Sequence, residues 1–146
     1  MSSKVTRVIF GVLVRRWRYK LSVDPKTVLK AHDPARALEV FKSILKIPSP
    51  GSLEIMDVAA LAQWIADFMK KLGAKVEMQG EGKKIQPIST FKGSGGRPSL
   101  MYNGHMEHMP VGQGWTRDPF GAQIEGDKIY GAGAVNMKGG LAAFLA

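Results

Sequence analysis

Leu100-Met101-Tyr102-Asn103-Gly104-His105-Met106-Glu107-His108-Met109-Pro110 is the stretch on which the fold turns. A strand-like run over 99–103 ends at a glycine, and a histidine follows at once. In an α/β fold such a residue lies just past the carboxyl end of a strand, in the crevice where ligands collect. Glu107, two residues on, can accept a hydrogen bond from one imidazole nitrogen. That bond sets the tautomer and raises the basicity of the other nitrogen, the arrangement that supports histidine ligands in zinc sites. His108 is a further nitrogen donor in the same loop, with a direction that the Gly/Pro-framed sequence leaves open. The spacing differs from His-Glu-x-x-His, the helical zinc motif.

Two glycine-framed segments follow. Gly114-Trp115-Thr116-Arg117-Asp118-Pro119-Phe120 reads as a turn between packing aromatics. Tyr130-Gly131-Ala132-Gly133-Ala134-Val135-Asn136-Met137-Lys138-Gly139-Gly140 reads as a turn leading into a helix. Gly131-x-Gly133 lacks the third glycine of a dinucleotide fingerprint. Lys138 is followed by glycine, not Ser or Thr, so the segment is not a phosphate loop.

Taken in order, the three segments resemble the dizinc peptidase family of glutamate carboxypeptidase, aminoacylase, acetylornithine deacetylase and succinyl-diaminopimelate desuccinylase. That family carries Gly-His-x-Asp-x-x-Pro, then Trp-x-x-Asp-Pro-Phe, then Tyr-Gly-Arg-Gly-x-x-Asp-x-Lys-Gly-Gly. Ile47-Pro48-Ser49-Pro50 through Glu54 is similar to its early Pro-Ser…Glu stretch, so the likeness covers about residues 35–146. The resemblance implies that His105 is a zinc ligand and that Glu107 is the catalytic-site acid orienting it. Position 136 would bridge two metals, with cobalt able to replace zinc. The family's Glu-Glu pair, further acidic ligand, late histidine and dimerisation domain have no counterpart in these 146 residues.

Three positions depart from the pattern. Glu107 stands for Asp, Ala132 for Arg, and Asn136 for the bridging Asp. A carboxylate offers two anionic oxygens, whereas an amide offers one neutral oxygen. Two dications about 3.5–4 Å apart repel, and a bridging anion offsets the repulsion. With Asn136 the expectation is a one-metal site or weaker binding; the alternative is ligation through the amide oxygen.

Upstream of these segments, Asp33-Pro34 reads as a helix start. Ala37, Leu38, Phe41, Ile44 and Leu45 then recur at helical spacing, up to Ile47-Pro48. A second helix is expected from about Glu54 to Leu72, with Gly73 as its stop. Strands are expected at 74–78, 85–91 and 99–103, a hairpin around Gly126-Asp127, and a helix from Gly139. The fold class is therefore α/β, with a mixed twisted sheet, flanking helices, and His105 and Asn136 at one sheet edge. The apolar ending, Gly139 to Ala146, reads as the interior of a helix. On that ground the chain is expected to be the N-terminal part of a longer catalytic domain.

The 146 residues are 45% hydrophobic and 23% charged, with no cysteine. Disulfide frameworks, Cys-based zinc sites and thiol nucleophiles are excluded. The net charge of +9 is uneven. Residues 1–30 hold eight Lys/Arg against Asp24, and residues 31–146 hold 13 basic against 11 acidic groups. This divides the chain into a basic N-terminal extension, 1–30, and a partial catalytic domain, 31–146. The apolar run Val8–Val14 is too short to cross a bilayer. The extension is expected to lie outside the core; membrane-surface contact by residues 1–20 is the alternative, and no nucleic-acid partner is expected.

The functional expectation is a cytoplasmic zinc-dependent hydrolase segment acting on the amide bond of an N-acyl amino acid or peptide. Its parent would be a homodimer. The 146 residues alone are expected to be inactive. The alternatives are a non-catalytic remnant with a degraded metal site, and a basic-tailed binding module.

Overall fold

The computed structural model describes residues 24–93, 95 and 99–146. The apolar run 8–14 and most of the basic extension lie outside the described residues. The chain divides into two units between His32 and Asp33. In the first, a short helix α1 (Pro25–Lys30) opens where Asp24 accepts the Lys26 amide on Oδ1 at 3.0 Å.

The second unit starts with α2 (Pro34–Leu45). Asp33 Oδ1 accepts the amides of Ala35 and Arg36 at 3.0 and 3.1 Å, with Pro34 at the first helical position. This is the start that Asp33-Pro34 predicted. Asp33→Ala should lower stability by about 1 kcal/mol in a urea titration, because two first-turn amides lose their acceptor.

α3 (Ala59–Lys71) begins five residues later than the expected Glu54. The amides before it are engaged elsewhere. Ser52 Oγ accepts those of Glu54 and Ile55 at 3.3 and 3.1 Å, the Asp57 amide binds Pro50 O, and the Val58 amide binds Lys83 O. A serine-anchored turn thus replaces the first helical turn. The helix ends as expected at Gly73 (φ +88°), whose amide binds Lys70 O while that of Ala74 binds Met69 O.

β1 (Lys75–Glu81) and β2 (Lys84–Thr90) form an antiparallel hairpin, with Lys75 opposite Thr90, packed against α3. β3 (Gln123–Glu125) and β4 (Lys128–Tyr130) form a second hairpin around Gly126-Asp127, where one was expected. α4 (Gly139–Leu145) closes the described fold. The core joins Val40 and Ile44 of α2, Leu61 and Ile65 of α3, and Leu141, Ala142 and Leu145 of α4. Of the α2 positions that helical spacing marked out, Ile44 lies in this core and Leu38 is 41% exposed, while Val40, which was not marked, is buried.

The α/β class holds, with a different sheet arrangement. The described strands form two separate antiparallel pairs, not one mixed sheet. Residues 99–103 are extended without a strand partner among the described residues. Leu100 and Met101 are 77% and 83% exposed, and Tyr102 stacks on Phe144 of α4 with ring centroids 5.4 Å apart. The run has the composition of a strand, but a strand also requires a neighbouring backbone to pair with. Its continuation does pair, at a single parallel bridge between Pro50 and His108.

Candidate metal centre

His105 and Asn136, 31 residues apart in sequence, meet side by side, with His105 Nε2 2.8 Å from Asn136 Oδ1. Neither lies at a sheet edge. His105 sits on the extended segment, and Asn136 on a wide turn, Ala134–Lys138, closed by the Lys138 amide on Gly133 O at 2.9 Å. Asn136 has extended backbone angles (φ −133°, ψ 101°) inside that turn, and its peptide bond to Met137 is cis. The next residue locks the two segments together, because the His105 amide donates to Met137 Sδ at 3.3 Å.

The other imidazole nitrogen faces Glu107. His105 Nδ1 is 3.3 Å from Glu107 Oε1 and 3.1 Å from the Glu107 backbone oxygen. Both are acceptors, so Nδ1 carries the proton. In the neutral ring Nε2 then holds a lone pair, and it points at a second acceptor, Asn136 Oδ1. The 2.8 Å contact is satisfied by a proton on Nε2, by a cation between the two atoms, or by the amide turned over so that Asn136 Nδ2–H donates to Nε2. The three residues expected to form the site are therefore adjacent.

Glu107 is pressed against Gly51. A Cβ built on Gly51 would lie 2.5 Å from both Cβ and Cγ of Glu107. Gly51→Ala should therefore displace the Glu107 side chain. The expected outcome is a loss of about 1–3 kcal/mol in thermal unfolding, accompanied by a changed His105 ring signal in NMR.

His108 does not join the donor set. It is buried, its Nδ1–H donates to Met109 O at 2.7 Å, and its Nε2 accepts the Ser49 amide at 3.0 Å. Both ring nitrogens are engaged, and burial lowers the histidine's pKa, reinforced by Lys138 nearby. Among the described residues no three His, Asp or Glu side chains converge as a ligand group.

Lys138 is a residue whose importance its sequence position did not reveal. Its side chain is fully buried, Nζ donates to Ile47 O at 2.6 Å, and burial lowers its pKa to about 8. An apolar run around it would have signalled burial, but it is bracketed by Asn136, Met137 and two glycines.

The Trp115–Phe120 segment supports the Asn136 turn from the other side. Asp118 Oδ1 accepts the Phe120 amide at 2.8 Å, and Pro119 O accepts the amide of Ala132 at 2.7 Å. Ala132, where the resembled family has arginine, is 4% exposed. Arg117 pairs instead with Glu125 of β3 and lies 4.1 Å from the Tyr130 ring centroid. An open cleft of about 470 Å³ adjoins Asn136, walled by Met109, Trp115, Ile129, Ala132 and Val135.

Residues 101–146, which carry this geometry, match the family model described as peptidase family M20/M25/M40. Over that stretch the chain is similar to this family. The M20/M25/M40 match takes in His105, Glu107 and Asn136 together. Similar proteins include the succinyl-diaminopimelate desuccinylase of Gluconobacter oxydans (strain 621H), 53% identical over 51 residues, which is 35% of this chain and 13% of the relative. That of Rhizorhabdus wittichii is 37% identical over 94 residues, 62% of this chain and 24% of the relative. That of Sphingopyxis alaskensis is 34% identical over 116 residues, 75% of this chain and 29% of the relative. The chain thus spans between about an eighth and three tenths of these relatives. No helix among the described residues is long and apolar enough to cross a membrane.

Proposed function

We propose that the chain is a metal-holding segment of a zinc-dependent amidohydrolase that cleaves the amide bond of an N-acyl amino acid or peptide. The observation that carries this reading is the His105 ring, held through Nδ1 by Glu107 and turned so that Nε2 faces Asn136 Oδ1 at 2.8 Å. The named relatives are desuccinylases, so N-succinyl amino acids are the first substrates to try.

The donor set fits one divalent cation. Two ligands of a tetrahedral zinc with bonds of about 2.0–2.1 Å stand roughly 3.3 Å apart. Asn136 is exposed, and its Oδ1, now 2.8 Å from Nε2, would have to move out to that separation to admit a metal. His105 Nε2 and Asn136 Oδ1 would hold the metal, and Glu107 would keep Nδ1 protonated and the ring in place. Bound there, the cation supplies a Lewis acid that polarises an amide carbonyl and acidifies water. A catalytic zinc takes three protein ligands, and a general base completes the chemistry. The Glu-Glu pair implied by the resemblance is absent from the 146 residues, so the chain by itself should show no turnover.

One observation favours a second reading, a non-catalytic remnant: the neutral amide of Asn136 where the resembled family has a carboxylate. The deciding experiment uses the product of the native reading frame. Amine release from N-succinyl and N-acetyl amino acids is measured with zinc, in the wild type and in His105→Ala. Release that disappears in the variant supports the hydrolase. No release from either supports the remnant, and equal release from both contradicts the assignment of His105.

A further inference from the structure

His108 has each of its four hydrogen-bonding groups engaged. Its amide donates to Ser49 O at 2.9 Å, and its carbonyl accepts the Gly51 amide at 2.8 Å. Its Nδ1–H donates to Met109 O at 2.7 Å, and its Nε2 accepts the Ser49 amide at 3.0 Å. Ser49, also fully buried, adds a bond from Oγ to Met106 O at 2.8 Å. The His105–His108 loop is thereby sewn to residues 49–51, although 59 residues separate Ser49 from His108.

The same histidine also abuts the Asn136 turn. A Cβ built on Gly133, which has φ +80°, would lie 2.9 Å from His108 Cβ. Gly133 O closes the turn by accepting the Lys138 amide, and Lys138 Nζ returns to Ile47 O at 2.6 Å. Residues 47–51 therefore grip both partners of the candidate site, the His105 loop through His108 and the Asn136 turn through Lys138. His108, like Met137, is a side chain that touches both. A buried, fully bonded polar group of this kind specifies one arrangement where an apolar side chain of similar size would permit several.

We propose that His108 is a positioning residue, which sets the separation of His105 from Asn136 by docking the loop on Ser49 and against Gly133. The inference rests on the metal-site reading for its purpose but not for its geometry. The two are separable because the His105–Asn136 contact can be observed without metal.

The experiment compares the wild type with His108→Leu and His108→Gln, all as the full 146-residue chain. The metal-free readout is the nuclear Overhauser effect between the His105 ring and the Asn136 side-chain amide. The second readout is a cobalt(II) absorption titration, with His105→Ala as reference and Leu145→Ala as a destabilised control distant in role. His108→Leu should lose the Overhauser contact and weaken cobalt binding by about 10–100-fold, the usual cost of removing an outer partner of a ligand. His108→Gln, whose side-chain oxygen can accept the Ser49 amide, should retain the contact and bind cobalt within about threefold of the wild type. Leu145→Ala should retain both.

A folded His108→Leu that keeps the contact and the affinity overturns the proposal. So does a folded His108→Gln that loses them, a result that is decisive even if His108→Leu fails to fold. Absence of cobalt binding in the wild type, with the contact still lost in His108→Leu, would overturn the metal reading and leave the positioning role standing.

Discussion

Raising the pH from 8 to about 10.5 should stabilise the folded chain through Lys138 by about 3 kcal/mol. Burial lowers its pKa from 10.5 to about 8, and each pKa unit corresponds to about 1.4 kcal/mol. Below pH 8 the lysine is protonated in both states, and the folded state bears the whole cost of burying an ammonium with one carbonyl partner. Between 8 and 10.5 the unfolded chain binds more protons than the folded one, so stability rises with pH. Above 10.5 both states are neutral and the cost is gone. The Lys75–Glu77 pair works in the opposite direction, raising the pKa of Lys75, but it lies exposed on the hairpin and is screened by solvent. Urea midpoints across this window should therefore climb in the wild type and stay nearly level in Lys138→Met. Parallel curves would show that Lys138 is not buried as an ammonium.

Asn136→Asp should tighten zinc binding by about tenfold to a hundredfold. The substitution leaves the side-chain length unchanged and replaces a neutral oxygen facing His105 Nε2 with an anionic one. Ligand charge is a main determinant of affinity in oxygen-donor sites, and a tenfold change corresponds to about 1.4 kcal/mol. The carboxylate also offers a second oxygen, so a second equivalent of zinc becomes accessible at higher concentration. Calorimetry on the two proteins should show the change directly. Equal affinity and stoichiometry would show that position 136 does not face the metal, even with the fold correct.

The elements that were legible in the sequence are those defined by their own residues. Asp33 caps α2 with its own side chain, Gly73 ends α3 with its own positive φ, and Gly126-Asp127 turns the second hairpin. The segments that differed depend on distant partners. Helical spacing extended α3 back to Glu54, yet Pro50 and Lys83 take the amides of Asp57 and Val58. Residues 99–103 have strand composition without a strand neighbour among the described residues, and helical side chains lie against them instead.

The candidate site follows the same rule. Glu107 stands two residues from His105, so their pairing is a local matter that the sequence can show. The His105–Asn136 contact became readable only through ordered resemblance to a known family. The burial of His108 and Lys138 depends on Ser49 and Ile47, which lie 59 and 91 residues away, and no local pattern reports such a contact.

The central claim is that His105 and Asn136 face a common cation. The most direct measurement is a zinc titration of the wild-type chain and His105→Ala, followed by calorimetry and by the His105 ring nitrogen shifts. The account predicts one equivalent bound by the wild type, a selective shift of Nε2 rather than Nδ1, and loss of that binding in His105→Ala. Binding of the same strength in both proteins, or a zinc-induced shift at Nδ1, would contradict it.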